Sequence, residues 1–497
     1  MHFFKGSFVF ILFLCITIKI SVGQSISKYH IGAEIEAGGI LSSDEQTPFW
    51  LRTNQFGAIP KHAPSALMQG KLWRDYSRYD SITKKRKDFD WGFVVNPVAS
   101  FEKVNKLGVI FPEAHIKVRY KFIEFFGGRR KELAGLGDST LTSGFYAVSG
   151  NALPVPKIQL ATIGYVPFAF KKFLAVNAAF SHGWMNNPPH IYGARLHQKH
   201  LYFRLGRPAS KSKFYLGINH QATWAGHSDY LKTQPDMAED GKLPDSWKLY
   251  KYLVLGYTPD NWYSKSGFTS FDSYRIGNHL GSYDAAFETK INGDRLLLYH
   301  QHAFEDVSSI AFQNFPDGLY GVNMVLSNAR IFGHFKLTRL TMEFLTTKDQ
   351  SGSEFYITGS VYQGADNYFN HSQYISGWSY KDAVIGTPFI IPRGDLDLSK
   401  SMSPRFFPNN RVNMFYAGAQ GTYKESLLLT FRGSFSRNYG TPGDVFYPPR
   451  NQFSSLLSAH LQLKGLANTS VIAKLSVDRG ELFRNAYGGY LGVRRRW

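Results

Sequence analysis

In the stretch "HIKVRYKF", Ile116, Val118, Tyr120 and Phe122 alternate with His115, Lys117, Arg119 and Lys121. The same two-residue period returns in "LLLTFRGSFSR" from Leu427, "LLSAHLQLK" from Leu456 and "VIAKLSV" from Val471. Further segments of this kind start near Phe173, Leu201, Phe214, Arg295, Leu319, Ile331, Phe355 and Val412. An alternation this regular specifies strands with one apolar and one polar side. Turn clusters such as "PDG", "SGSE", "NYGTPGD" and "LKGLANTS" separate many of them. The final segment, "YGGYLGVRRRW", obeys the same rule. Tyr487, Gly489, Leu491, Val493 and Trp497 share one side with a single charge, Arg495, while Tyr490, Gly492, Arg494 and Arg496 share the other.

What the apolar sides face decides the fold class. At 497 residues a soluble chain would suggest several domains, yet no linker, low-complexity stretch or short repeat divides this one. Aromatic residues make up 16%, glycines number 46, and mean hydropathy is only -0.25. Past the first residues no apolar run approaches the length of a membrane helix. A secreted sandwich would bury the apolar sides, and a transmembrane barrel would turn them to lipid. Strands of about ten residues, basic groups on the polar side and a terminal aromatic favour the antiparallel barrel. The last segment is then its closing strand, with Trp497 in the interfacial aromatic girdle and Arg495 reaching towards head groups.

The N-terminus fits export. Lys5, the apolar run Phe8–Ile18 and the small residues Ser21 and Gly23 describe a signal peptide over 1–23, cleaved before Gln24. Lys19 cuts the run short of a membrane anchor, and Leu14 before Cys15 does not suit a lipid anchor. Cys15 is the single cysteine, so residues 24–497, expected to form one barrel domain, have neither a disulfide framework nor a cysteine-zinc site. One segment breaks the pattern. Met68, Leu72, Tyr76 and Tyr79 recur at steps of four, four and three after Pro64, which predicts a short helical plug or cap within about 60–88. The basic run Lys84–Lys87 that follows reads as a solvated turn.

Several motifs, taken in order, resemble the Wzi capsule-assembly family. They are "TPFWLRTNQFGAIP" (47–60), "DSTLTSGFYAVSGNALPVPKIQL" (138–160), "FSHGWM" (180–185), "LHQKHLYFRLG" (196–206), "GINHQATWAG" (217–226), "GWSY" (377–380) and "RNYGTPGD" (437–444). The resemblance implies an outer-membrane barrel of about eighteen strands with a small periplasmic helical part. It also implies a lectin-like role in holding exported capsular polysaccharide at the cell surface.

Catalytic signatures are missing: the chain has no G-x-S-x-G, H-E-x-x-H, Walker loop or G-x-G-x-x-G. The pairs His197/His200 and His300/His302 lack a carboxylate cluster at fixed spacing, and no cofactor is expected. For a glycan the candidates are polar or stacking side chains. Asn219 and Gln221 share a strand side near Trp224, which has a face for a pyranose ring, and Asn151 in the proline-rich "NALPVP" has an amide to offer. Removal of Lys5 and Lys19 with the leader lowers the formal charge from +20 to +18. An acidic polysaccharide or anionic lipopolysaccharide suits that charge, and nucleic acid does not suit the compartment. Lys117, Arg119, Lys121, Arg204 and Arg432 fall on the polar, luminal side and complete the set. A glycan-holding barrel, a general porin and a barrel hydrolase are the competing readings, and each would need the barrel-assembly machinery and outer-membrane lipid as partners.

Overall fold

The computed structural model describes residues 31–77, 87–103, 107–257, 269, 272, 275–352, 354, 364–397 and 403–497. The expected signal peptide lies outside them. The first wall strands are β1 Ile31–Ser42, β2 Ser65–Arg74, β3 Phe89–Glu102, β4 Gly108–Tyr120, β5 Ile123–Arg129, β6 Lys157–Thr162 and β7 Val166–Ala169. They continue as β8 Leu174–Trp184, β9 Arg195–Leu205, β10 Ser212–Trp224, β11 Asn278–Ile291, β12 Asp294–Phe304, β13 Gly318–Phe332 and β14 Phe335–Thr346. A small hairpin, β15 Ser379–Tyr380 and β16 Ala383–Val384, precedes β17 Val412–Tyr423, β18 Leu427–Gly440, β19 Val445–Gln462, β20 Thr469–Gly480 and β21 Ala486–Arg496. Three short α-helices occur among the described residues: α1 Phe49–Arg52, α2 Tyr250–Leu255 and α3 Val307–Ile310.

Nineteen strands form one antiparallel sheet, and β6 and β7 both pair with β8, so the wall has eighteen positions. Because β1 pairs with β2 on one side and β21 on the other, the sheet is a closed barrel. Closure pairs the strands around the ring and so satisfies backbone groups inside a bilayer. Alternation does the rest: Ile116, Phe125, Leu160, Leu216, Met342, Phe415, Leu475 and Leu491 stand exposed on the outer wall. Such a band has no reason to persist in water and suits hydrocarbon.

The closing strand is the one the sequence predicts. Glu34 lies opposite Arg496 and Glu36 opposite Arg494, and the Trp497 amide donates to the Ala33 carbonyl at 2.9 Å. Arg494 meets the Glu36 carboxylate at 2.6 Å, and Arg496 meets Glu34. These pairs face inward, while Tyr487 and Leu491 face out and the Arg495 guanidinium sits 5.3 Å from the Trp497 ring.

The predicted helix over 60–88 is corrected. Residues 65–74 are strand β2, with Met68 and Leu72 on the lipid side. A step of four is two strand periods as well as one helical turn, so the spacing fits both elements; only the final step of three separates them. Tyr79 and the run Lys84–Arg86 lie outside the described residues. Among the described residues the first helix is instead α1.

Strand ends sort the connections into two classes. One end has short turns at 121–122, 292–293, 333–334 and 424–426, and it also carries the start of β1 and the end of β21. The other has the long connections 43–64, 130–156, 225–277, 305–317 and 347–411. In outer-membrane barrels the short turns are periplasmic and the long loops extracellular.

Candidate functional site

The lumen is filled from the extracellular end. Segments 43–64, 130–156 and 364–397 fold inward and bring their own apolar core, in which Trp50, Leu51, Tyr146, Phe369 and Trp378 are almost fully buried, and Phe407 of 403–411 joins it. Turn-rich segments placed away from water need partners for their peptide groups. The polar luminal side of the wall supplies them. Glu343 accepts from the Thr142 hydroxyl at 2.7 Å and the Ser143 amide at 2.6 Å, and also from the Tyr299 hydroxyl. The Tyr146 amide donates to Gln301 at 3.0 Å, and the Leu136 amide to Asp284 at 2.9 Å. Segment 43–64 is held likewise, since the Trp50 indole donates to Ser434 at 3.0 Å and the Phe49 amide to Asp478 at 2.8 Å. Segment to segment, the Trp378 indole donates to the Ala147 carbonyl at 2.7 Å. "TPFWLRTNQFGAIP", "DSTLTSGFYAVSGNALPVP" and "GWSY" are thus the plug and its latches. The luminal side of the wall is polar there because the inward segments bond to it.

Above the plug a cleft of about 540 Å3 opens at the extracellular mouth. Its polar lining includes the cations Arg52, Lys61, Arg129 and Lys381, the acids Glu102, Asp382 and Asp395, and Asn151, with Ile59, Phe111, Leu153 and Phe483 among the apolar walls. Arg52 and Lys61 both clamp Asp395, at 2.8 and 2.9 Å. Arg129 donates to the Tyr380 hydroxyl at 3.3 Å, and Lys381 is exposed at the turn of the small hairpin. The cleft also opens sideways. β5 stops at Arg129, opposite Ala114, so residues 108–113 of β4 pair with β3 alone among the described strands. The β15–β16 hairpin stands in that notch, its Asp382 carbonyl accepting from Lys61 at 2.6 Å.

Burial pushes Glu305 up to about 8, although Tyr146 and the Phe369 amide donate to its carboxylate at 2.7 and 3.0 Å. Asp395 is also buried, which raises its pKa, but Arg52 and Lys61 outweigh burial and hold it below the usual range. The signs are opposite. A raised folded value gives stability that is complete below an ordinary glutamate pKa of about 4.3 and is lost as pH rises towards 8. A depressed value gives stability present above the ordinary range and lost as pH falls. Limited proteolysis of the mouth segments across pH should therefore show loosening of the Glu305 latch in alkali and of the Asp395 clamp in acid. Glu305→Gln should weaken the alkaline arm, to which the buried Asp366, pushed up to about 9, also contributes, and leave the acid arm intact.

The structure scatters the predicted glycan residues. Lys117, Arg119 and Lys121 lie at the periplasmic end of β4, remote from the mouth. Lys117 pairs with Asp75 at 3.4 Å, and Arg119 is fully buried, with Asp90 at 3.7 Å and the Lys87 carbonyl at 3.0 Å. Lys121 is corrected outright, because β4 ends at Tyr120 and Lys121 is an exposed turn residue with φ 53°. Arg204 is luminal but buried near the same end, its Nε donating to the Gly206 carbonyl at 3.1 Å. Arg432 is a plug latch: it donates to the carbonyls of Thr140 at 2.8 Å and Thr142 at 2.9 Å. Asn219 and Gln221 share the luminal side as expected, yet both are buried, and Asn219 donates to Ser282 at 2.6 Å. Trp224 has the opposite parity and is fully buried on the outer wall, so no sugar reaches its face. Asn151 alone lines the cleft; its amide donates to the Gly386 carbonyl at 2.8 Å and its oxygen accepts from the Asn54 amide at 3.0 Å.

His197 and His200 face opposite sides of β9, whereas His300 and His302 share the outer side and stack on Tyr320 and Phe312. Among the described residues no group of three His, Cys, Asp or Glu is arranged to hold a metal. What the sequence reading missed is the mouth set Arg52, Lys61, Arg129 and Lys381. Three come from turn-rich segments or a strand end, where alternation carries no signal.

Closed wall, lipid-facing band and asymmetric ends together define an outer-membrane β-barrel. Comparison with known proteins places that fold. The chain matches no protein-family model and no curated protein sequence. Among solved structures it is similar to Wzi of Escherichia coli, an outer-membrane protein involved in group 1 capsule assembly and a carbohydrate-binding β-barrel. The TM-score is 0.56 at 13% identity, over 95% of this chain and 86% of that one. It is also similar to OccAB2 of Acinetobacter baumannii, with a TM-score of 0.44 and 9% identity over 94% of this chain and 98% of that one. The likeness to Wzi agrees with the resemblance drawn from the motifs, at the level of the fold.

Proposed function

We propose that this outer-membrane barrel holds capsular or other surface polysaccharide at the cell surface, without catalysis, through the extracellular cleft. The observation that carries this reading is a filled lumen beneath an open, partly basic cleft that faces outward. A transport pore needs the reverse. The carbohydrate binding of Wzi, the protein this fold resembles, supports the same reading.

An acidic polymer suits the cleft best. Arg129 and Lys381 make no ion pair among the described contacts, and each exposed charge contact contributes about 0.2–1 kcal/mol. Affinity then comes from several weak contacts repeated along a polymer, and it weakens as salt rises. An array of acidic and neutral glycans with the refolded, detergent-solubilised protein tests this. Binding to acidic members, reduced roughly tenfold by Arg129→Gln with Lys381→Gln, is the expected result. Lys117→Gln, alone at the periplasmic end, should bind as the unaltered protein does. Loss of binding in the second variant but not the first would relocate the site.

A further inference from the structure

One element outside the barrel lies on the opposite face of the wall from the plug and its cleft. Trp247–Leu249 form a 3-10 turn that runs directly into α2, and this strap lies on the outer wall at the extracellular ends of β8, β9 and β10. Its underside is fixed. The Tyr250 hydroxyl meets His197 Nδ1 at 3.0 Å, Lys199 donates to the Val254 carbonyl, and Leu253 is fully buried in one cluster with Ala222 and Trp224. His197, Lys199, Ala222 and Trp224 carry the same strand parity as Leu201 and Leu216, which are exposed on the lipid band. The strap therefore sits on the membrane side of the wall.

Its upper side does not look like a soluble loop. Trp247 is 59% exposed and Leu255 74% exposed. Lys248 and Lys251 are exposed beside them, and no acidic residue occurs from Ser246 to Tyr257. The Arg195 guanidinium lies between two indoles, 4.9 Å from Trp224 and 5.2 Å from Trp247. The strap also borders the lipid band, since Tyr250 meets the exposed Phe180 at 6.4 Å between ring centres. An aromatic and cationic patch at the edge of a lipid-facing band marks the head-group level.

We propose that the strap seats a phosphorylated glycolipid of the outer leaflet. Lys248, Lys251 and Arg195 meet its phosphates by charge-assisted hydrogen bonds. Trp247 and Leu255 lie at the hydrocarbon boundary.

Native mass spectrometry of the detergent-solubilised protein, with added bisphosphorylated lipid A, tests the seat. A retained adduct is expected, with the bound fraction falling on the order of fivefold in Lys248→Gln with Lys251→Gln. Dephosphorylated lipid A should bind as weakly to the unaltered protein. Heat-modifiable gel mobility keeps barrel closure in view, because both substituted side chains are exposed. As a second readout, Leu255→Cys carrying a spin label should report lipid depth in vesicles; Cys15 is the single cysteine of the chain and lies in the expected leader. Equal retention of both lipid A forms, equal retention by the variant, displacement of the adduct by millimolar inorganic phosphate, or a fully aqueous label would each overturn the proposal.

Discussion

Replacing residues 139–152 with a short glycine-serine linker is expected to turn a barrel that conducts little into an open pore. That segment carries Thr142, Ser143 and Tyr146, whose groups are latched by Glu343 and Gln301. It also supplies the Ala147 carbonyl that holds Trp378. Without it the inward segment 364–397 loses that anchor, and Glu343 and Gln301 face water, which a luminal wall tolerates. A barrel of this strand number leaves an aqueous channel when unfilled, so single-channel conductance should rise roughly tenfold or more. Planar-bilayer recording reads this directly. An unaltered protein that already conducts like an open porin would show that the inward segments do not seal it, and the porin reading would replace the glycan one.

The second large effect concerns closure of the wall. Glu34 and Glu36 on β1 face Arg496 and Arg494 on β21, and both carboxylates are mostly buried. Glu34→Lys with Glu36→Lys would set four cations along one seam. Breaking a buried pair so that a charge is stranded costs about 3–5 kcal/mol, and like charges add to that. Failure to close, read as loss of heat-modifiable mobility with export unaffected, is the expected outcome. Deleting Trp497 should act in the same direction more weakly, since it removes one rung to Ala33 and one interfacial ring. Normal mobility in the double variant would mean that these strands do not form the seam.

Alternation made the wall legible in advance because lipid and lumen impose a strict period of two on every crossing strand. β4, β18, β20 and β21 were readable from Ile116, Phe431, Leu475 and Leu491 without any tertiary information. β2 was not, because Met68, Leu72 and Tyr76 repeat at a multiple common to both periods. The plug was hidden for a different reason. Nothing local tells an extracellular segment to turn inward or outward; that depends on Glu343, Gln301 and Arg432, between roughly 150 and 290 residues from their partners. The same property misled the choice of glycan residues. Lys117, Arg119 and Arg204 were rightly placed on the luminal side, but parity gives no height along the barrel axis, and all three lie near the periplasmic end. Trp224 failed because its parity differs from that of Asn219 and Gln221, and the strap that covers it lies 23 to 31 positions further along the chain.

If the extracellular cleft holds the polymer, its retention by cells depends on Arg129 and Lys381. Cells producing Arg129→Gln with Lys381→Gln, assembled to the normal level by heat-modifiable mobility, should release polysaccharide into the medium while total polymer stays constant. Cells producing Lys117→Gln should retain it. Retention unchanged in the cleft variant, at equal barrel assembly, would contradict the account.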